Sequence, residues 1–358
     1  MLPKVSIVIP VYNVEPYIEE CLQSVMRRSY RGEIECILVD DCGTDNSIEV
    51  AEQLIADYHG TIDFKVLHHE HHRGVSAARN TGMDAVCGDY VFFPDRDDWI
   101  SDDCIERLTG PLSIKQYDFV MGHNEYDGKD MFVTCPEGEY HKYVMKSGGH
   151  SRKLLKPIGP SGIPVAVWNK LFRKCFLVDN QLYFEVGKIY EDTIFSFDLS
   201  FVERNYYVVN SITYYYRSRE NSISTNPNQF DRIVGHVGLY QSLRNRASQE
   251  KYKGFDRIYD AYLYWVKIIF GRFASVEMDE MMLDYIQKET YGFLDVIPNI
   301  TYLSNKHDRV IYFFCKKDQS YSRYQYVIQQ YNDKYAHRLS GRIMRNLLGL
   351  IPFKKEKP

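Results

Sequence analysis

Within the first hundred residues, short and nearly continuous apolar runs alternate with stretches whose apolar positions recur every three or four residues. Val5 to Pro10 (VSIVIP) is largely β-branched, the pattern of a strand covered on both faces, and Pro10 is expected to end it. After Tyr12-Asn13, Pro16 suits a first helical turn, and Ile18, Cys21, Leu22 and Val25 then fall on one helical face. Beyond the polar stretch around Arg31-Gly32, Ile34 to Val39 predicts a second strand, stopped by Asp40-Asp41. Gly43-Thr44-Asp45 then turns the chain into a helix carrying Ile48, Ala51, Leu54, Ile55 and Tyr58. Phe64 to Leu67 predicts a third strand running into His68-His69-Glu70-His71-His72, Ser76 to Val86 a further helix, and Tyr90 to Phe93 a fourth strand. Strands alternating with crossover helices predict an α/β fold: a Rossmann-like, mostly parallel sheet with helices on both faces.

Ligands of such sheets bind beyond the carboxyl ends of the strands. The residues most costly to bury fall at those ends: Tyr12-Asn13, Asp40-Asp41, the histidine run, and Asp95, Asp97 and Asp98 after the fourth strand. Two like charges about 4 Å apart repel by ~4 kcal/mol at an effective dielectric of about 20, so crowded carboxylates point to a cation. An Asp-x-Asp at a strand end suits a divalent metal that completes its shell with water and substrate phosphates. The competing structural reading is a solvated acidic turn capping the next helix.

Composition narrows the classes. In 358 residues, 44% apolar and 26% charged with a net charge of −4, there is no general basic surface, so no nucleic-acid partner is expected. The eight cysteines show no CxxC pair and read as reduced thiols of a cytoplasmic protein. Met1 leads directly into a strand pattern without a charged-then-apolar leader. No apolar run approaches the ~20 residues that span a bilayer, so an integral membrane protein is not expected. A dinucleotide GxGxxG and a P-loop are both missing, and Cys42 in VDDCGTD replaces the second aspartate of a dehalogenase-type phosphatase motif.

The ordered blocks PVYN (Pro10 to Asn13), VDDCGTDNS (Val39 to Ser47), GVSAARNTG (Gly74 to Gly82) and GDYVFFPDRDDW (Gly88 to Trp99) resemble those of the inverting family 2 glycosyltransferases of GT-A fold, bacterial polysaccharide-biosynthesis type. The likeness continues through AVWNKLFRK (Ala166 to Lys174), YEDTIF (Tyr190 to Phe195) and YYYRSRENSIS (Tyr214 to Ser224), about 225 residues in all. It implies a GT-A catalytic domain over residues 1–225, and a mainly helical region with a basic amphipathic tail is expected over 226–358. It further implies a UDP-sugar donor framed by Pro10, Tyr12 and Asp41 or Asp40, with the carboxylate accepting a uracil N–H and Tyr12 stacking. Arg79 reaches the acidic turn or the nucleotide, or forms a structural ion pair. Asp95 and Asp97 hold Mn²⁺ or Mg²⁺ on the diphosphate, and Asp98 orients the turn. One departure is Cys42-Gly43, where the family usually shows Gly-Ser.

The resemblance also makes Asp192 the base that takes the acceptor hydroxyl's proton, with Glu191 positioning substrate or raising its neighbour's pKa. The bland alternative for both is a pair of first-turn helix acids. Trp168, Asn169 and Lys170 begin a helix-like stretch on the acceptor side, with Trp168 a sugar platform or a core residue. Arg217 and Arg219 grip diphosphate as a lid or belong to a solvated turn. Four imidazoles in five residues raise a transition-metal site, but strand alternation turns neighbouring rings apart and favours a polar loop near the nucleotide. Asp118 to Met121 is a further candidate strand, Lys146 to Gly162 a mobile loop beside the acceptor, and Val310 to Phe314 a β-like run. In 334–358, Leu339, Ile343, Leu347, Leu350 and Ile351 share a helical face amid Arg338, Arg342 and Arg345, ahead of Lys354, Lys355 and Lys357. That suits peripheral contact with the inner face of a cell membrane, as for a polyprenyl-diphosphate-linked glycan acceptor, or packing on the protein itself.

Overall fold

The structure, a computed structural model, describes residues 2–126, 129–130, 137–141, 164–202, 205–218, 229–249, 269 and 279–290. The chain divides into two compact units, Met1–Arg219 and Glu220–Pro358. Expected features at 146–162, 219, 310–314 and 334–358 lie outside the described residues.

In the first unit β1 (Val5–Val11), α1 (Glu15–Met26), β2 (Ile34–Asp40), α2 (Ser47–Ala56), β3 (Asp63–His68), α3 (Val75–Ala85) and β4 (Tyr90–Phe92) follow the expected alternation. Then come β5 (Trp99–Ile100), α4 (Cys104–Thr109), β6 (Phe119–Tyr126), β7 (Lys129–Asp130), β8 (Gly138–His141), β9 (Lys170–Arg173), α5 (Lys174–Asp179), α6 (Glu191–Val202) and β10 (Asn205–Tyr216). One sheet runs in the order β3-β2-β1-β4-β9-β6-β10-β5, with β7 beside β6 and β8 beside β10. The four N-terminal strands are mutually parallel, as is β6 with β10, while β9 is antiparallel to both neighbours.

Period-two alternation builds a core on each face. Ile7 and Ile9 of β1, Leu38 of β2, Phe92 of β4 and Leu171 of β9 pack with Ile18 and Leu22 of α1 and Leu108 of α4. Val8, Ile37, Val91 and Phe172 point the other way, toward Ala78 of α3, Leu177 of α5 and Phe195 of α6. Two boundaries differ from expectation. β1 runs through Pro10, which pairs in register with Val39, to Val11. The stretch from Lys170 is a strand rather than a helix, because Leu171 and Phe172 are buried in opposite cores, which only extended backbone permits; the helix starts at Lys174.

Gly82 lets α3 lie close on β1: a Cβ there would collide with Val8 Cγ1. At the amino end of β2, Glu35 is fully buried and gathers Ser6 Oγ at 2.5 Å, Lys65 Nζ at 2.9 Å and the N–H groups of Cys87 and Gly88 at 2.5 and 3.0 Å. In the second unit, α7 (Gln229–Ser248) and α8 (Glu280–Thr290) pack together, with Tyr240 donating to the Thr290 carbonyl at 3.2 Å and Phe230 against Tyr285.

Gly82→Ala is expected to lower stability to urea by about 1–2 kcal/mol, the steric penalty against Val8 exceeding alanine's gain in helix propensity. Burial pushes the Glu35 carboxyl up, but its bonds from Ser6, Lys65 and Cys87 prevail and bring its pKa down to about 2. A depressed carboxylate stabilises the fold above its unfolded value of 4.5, and that stabilisation is lost as pH falls toward 2. Acid denaturation of Glu35→Gln should lack this component while starting from lower stability at neutral pH.

Candidate active site

Parallel register brings the polar strand ends to one edge: Val11 lies opposite Asp40, and Asp40 opposite His68. Here Asp40 accepts from the Cys42 N–H at 3.0 Å and from His68 Nδ1 at 3.0 Å. Asp41 is buried; its carboxylate receives His69 Nδ1 at 2.7 Å and the N–H groups of Arg73 and Gly74, both at 2.8 Å, while His72 Nδ1 lies 2.8 Å from Oδ2 and hydrogen-bonds the Asp41 carbonyl at 3.3 Å. Burial alone would raise its pKa; the His69 bond, the two backbone donors and the His72 charge outweigh that and hold it below the usual carboxylate value. The Tyr12 ring stacks on His72 with centroids 4.0 Å apart. Asn13 and Cys42 both have left-handed backbone, at φ 48° and 57°, where the chain doubles back beside this edge. His68, His69 and His72 of the histidine run thus lie against two carboxylates, and no group of three described His, Cys, Asp or Glu side chains is arranged as a metal cage.

Arg79 stands at the centre. It is buried in α3, donates from Nη1 to Glu191 Oε1 at 2.7 Å and from Nη2 to Asp95 Oδ1 at 2.5 Å, and lies 5.1 Å over the Phe184 ring. Burial works against its charge, and Asp95 and Glu191 more than compensate, so its pKa moves up.

The acidic turn is fastened from β10. The Tyr214 hydroxyl donates to Asp98 Oδ2 at 2.7 Å and accepts the Asp95 N–H at 3.0 Å, and the Arg217 N–H donates to Asp98 Oδ1 at 2.8 Å. Asp98 is buried and orients the turn, with burial and the charges of Asp97 and Asp95 pushing its pKa well up. The Arg217 side chain donates to the Asp97 carbonyl at 2.9 Å, pairs with Glu20 and covers Trp99 at 4.7 Å, which makes it a brace on the turn. Asp95 and Asp97 remain partly exposed.

Glu191 and Asp192 open α6, preceded by Tyr190 at φ 65°. Asp192 Oδ1 accepts the Thr193 N–H at 2.6 Å. Its pKa is pushed up to about 7, by burial first and by the Glu191 charge second, against the pull of the Thr193 N–H and Arg79.

The three acceptor-side residues differ in placement. Trp168 is partly exposed and stacks on Tyr214 at 4.7 Å and on Tyr216 at 5.6 Å. Asn169, at φ 60°, is buried between the His123 carbonyl and Thr213 Oγ1, at 2.9 and 2.6 Å. Lys170 is buried and donates to the Pro164 and Ala166 carbonyls. These two side chains hold the loop that presents Trp168.

The sequence profile of glycosyl transferase family 2 matches residues 6–162, which contain the base-side carboxylates, Arg79 and the acidic turn. Residues 6–162 thus form a glycosyl transferase family 2 domain. It is 31% identical over 226 residues to glycosyltransferase GlyA of Streptococcus pneumoniae, covering 62% of this chain and 31% of GlyA. It is 33% identical over 230 residues to EpsJ of Bacillus subtilis, an uncharacterized glycosyltransferase, covering 63% of this chain and 64% of EpsJ. The chain therefore spans less than two thirds of either relative's length. Residues 1–349 of Staphylococcus aureus TarS, solved in complex with UDP-GlcNAc, share the fold with a TM-score of 0.63 at 22% identity over 82% of each chain. The fold is the GT-A type.

Within this family 2 domain, three contributors were not foreseen: Tyr214 as the clamp on the acidic turn, His72 as the ring on Tyr12, and Asn80, which grips the Phe184 backbone through bonds of 2.8 and 2.9 Å. All three sit in noticed stretches, the histidine run, GVSAARN and YYYRSR, which gave a place but no partner. Arg79→Gln leaves Asp95 and Glu191 facing each other without a cation. A loss of about 3–5 kcal/mol in urea unfolding is expected.

Proposed function

We propose that the chain transfers a sugar from a UDP-sugar to a hydroxyl of a glycan with inversion, in a single displacement with Asp192 as base. The observation that carries the reading is the span Asp95–Arg79–Glu191: one guanidinium joins the turn suited to the donor diphosphate to the helix end that bears a carboxylate with pKa near 7. A base with that pKa is about half ionised at neutral pH and basic enough to accept a proton from an attacking hydroxyl. Support comes from the family 2 domain, and from TarS, named a poly(ribitol-phosphate) β-N-acetylglucosaminyltransferase and solved with UDP-GlcNAc.

In this reading Tyr12 and Asp41 face the base of UDP, with Pro10, Asp40 and Arg79 shaping the surroundings. Asp95 and Asp97 offer oxygen donors alone, a set that fits a hard divalent ion such as Mn²⁺ or Mg²⁺. That ion, when bound, supplies positive charge to the departing diphosphate. Glu191 is the positioning partner: its charge raises the basicity of Asp192, and its salt bridge to Arg79 fixes the start of α6. Trp168 offers a flat apolar face to the acceptor sugar. The catalytic domain is 1–225, and 226–358 the region that meets a lipid-linked acceptor at the inner membrane face, through 334–358. No described helix is long and apolar enough to cross a membrane.

Calorimetry with UDP, GDP and CDP, each with and without Mn²⁺, tests the donor site. Metal-dependent preference for UDP supports it, and no binding of any nucleotide overturns it. Asp192→Asn is expected to lower turnover by about 10²-fold or more with UDP affinity retained. In the wild type, turnover should fall tenfold per pH unit below about 7, as the base is protonated. The sign for stability is opposite. A carboxyl whose folded pKa is raised from 3.8 costs the native state stability as pH rises through its folded value, so Asp192→Asn should melt higher than wild type at pH 8.

A further inference from the structure

The protein itself fills most of the acceptor positions of the Asp41 carboxylate. Oδ1 takes His69 Nδ1 and the Arg73 N–H, and Oδ2 takes the Gly74 N–H, at 2.7 to 2.8 Å, while His72 Nδ1 stands 2.8 Å from Oδ2. A carboxylate oxygen has two lone-pair sites, so these hydrogen bonds leave one, on Oδ2, and His72 Nδ1 is the group beside it. Asp40 is engaged too, by Cys42 and His68.

Three of the four donors on Asp41 are fixed. The Arg73 and Gly74 N–H groups belong to the backbone entering α3, whose N-cap is Gly74, and His69 is buried with its other nitrogen 2.9 Å from Thr81 Oγ1. His72 differs: its side chain is 51% exposed, and beyond the carboxylate it meets the Asp41 carbonyl at 3.3 Å and the face of Tyr12. The Asp41 carbonyl can only accept, so the His72 nitrogen bonded to it carries the proton. A flat heterocycle therefore lies on Tyr12, at an interplanar angle of 27°, with its ring N–H on the Asp41 carbonyl and 2.8 Å from the carboxylate. Those are the two places, the Tyr12 face and the edge of Asp41, that the proposed function gives to uracil.

We propose that His72 is a built-in competitor for the nucleobase, occupying the place between Tyr12 and Asp41 and swinging out as the donor nucleotide enters, and that it thereby sets donor affinity. The inference rests on the reading of Tyr12 and Asp41 as the base site. The backbone donors and His69 keep Asp41 ionised and in place when His72 leaves, so only one half-exposed side chain has to move. The apparent dissociation constant is the intrinsic one divided by the fraction of molecules with the slot open, so a slot closed nine times in ten weakens binding about tenfold.

Calorimetric titration of wild type, His72→Ala and Tyr12→Ala with UDP and with inorganic pyrophosphate, all with Mn²⁺, separates the outcomes. The expected result is UDP binding about tenfold tighter in His72→Ala, unchanged pyrophosphate binding, and weaker UDP binding in Tyr12→Ala. If His72→Ala binds UDP no tighter than wild type while Tyr12→Ala still binds it more weakly, the base site stands and the competitor role is overturned. Tighter binding of pyrophosphate as well as UDP in His72→Ala also overturns it, since the effect then lies outside the base slot. If Tyr12→Ala binds UDP as tightly as wild type, the base-site reading fails and the proposal goes with it.

Discussion

A single buried guanidinium determines how the two ends of this site relate. Arg79 is buried, and it cannot leave its place in α3 without taking the shared cation from Asp95 and Glu191, which are themselves partly exposed. The Phe184 ring beneath it and the closed core around Phe93 and Phe195 hold the cation where both acids can reach it. The acidic turn and the start of α6 are far apart in sequence, so this ion pair, rather than any local preference of either loop, sets their spacing.

The same logic recurs on the other side of the turn. Asp98 faces inward and draws a hydroxyl and a backbone N–H from β10, so the final strand of the first unit is bonded to the loop it crosses. With Asp98 committed inward and Asp95 tied to Arg79, Asp95 and Asp97 keep part of their surface exposed, which is what the proposed reaction asks of them. Division of labour among three neighbouring acids follows from their burial, which the backbone of the turn dictates.

The N-terminal alternation was readable because each strand is a short apolar run buried on both faces and each break carries residues that no core accepts. The strand-end carboxylates stood out for the same reason. β9 was not readable: four residues, KLFR, sit directly before a helix of similar composition, and only their pairing with β4 and β6 makes them extended. The roles within the site were legible to different degrees. Motif blocks located Arg79, Asp98 and Asp192, but the partners of Tyr214 and His72 come from contacts across 119 and 31 residues of chain, which no local pattern encodes. Asn169 and Lys170 illustrate the converse, since one polar side chain bonds to β6 and β10 and the other to the loop's own carbonyls.

The position of β9 also bears on how the chain is made. On the ribosome, β1 to β4 can assemble as soon as Phe92 has emerged, yet the free edge of β4 pairs with residues 171–173, about eighty positions later. Until then a nascent sheet presents an apolar strand with open hydrogen-bonding groups, the kind of edge that recruits other chains. The centre of the finished sheet is therefore among its last parts to close, and this stage of synthesis is where the protein is most exposed to aggregation and most in need of a chaperone's cover.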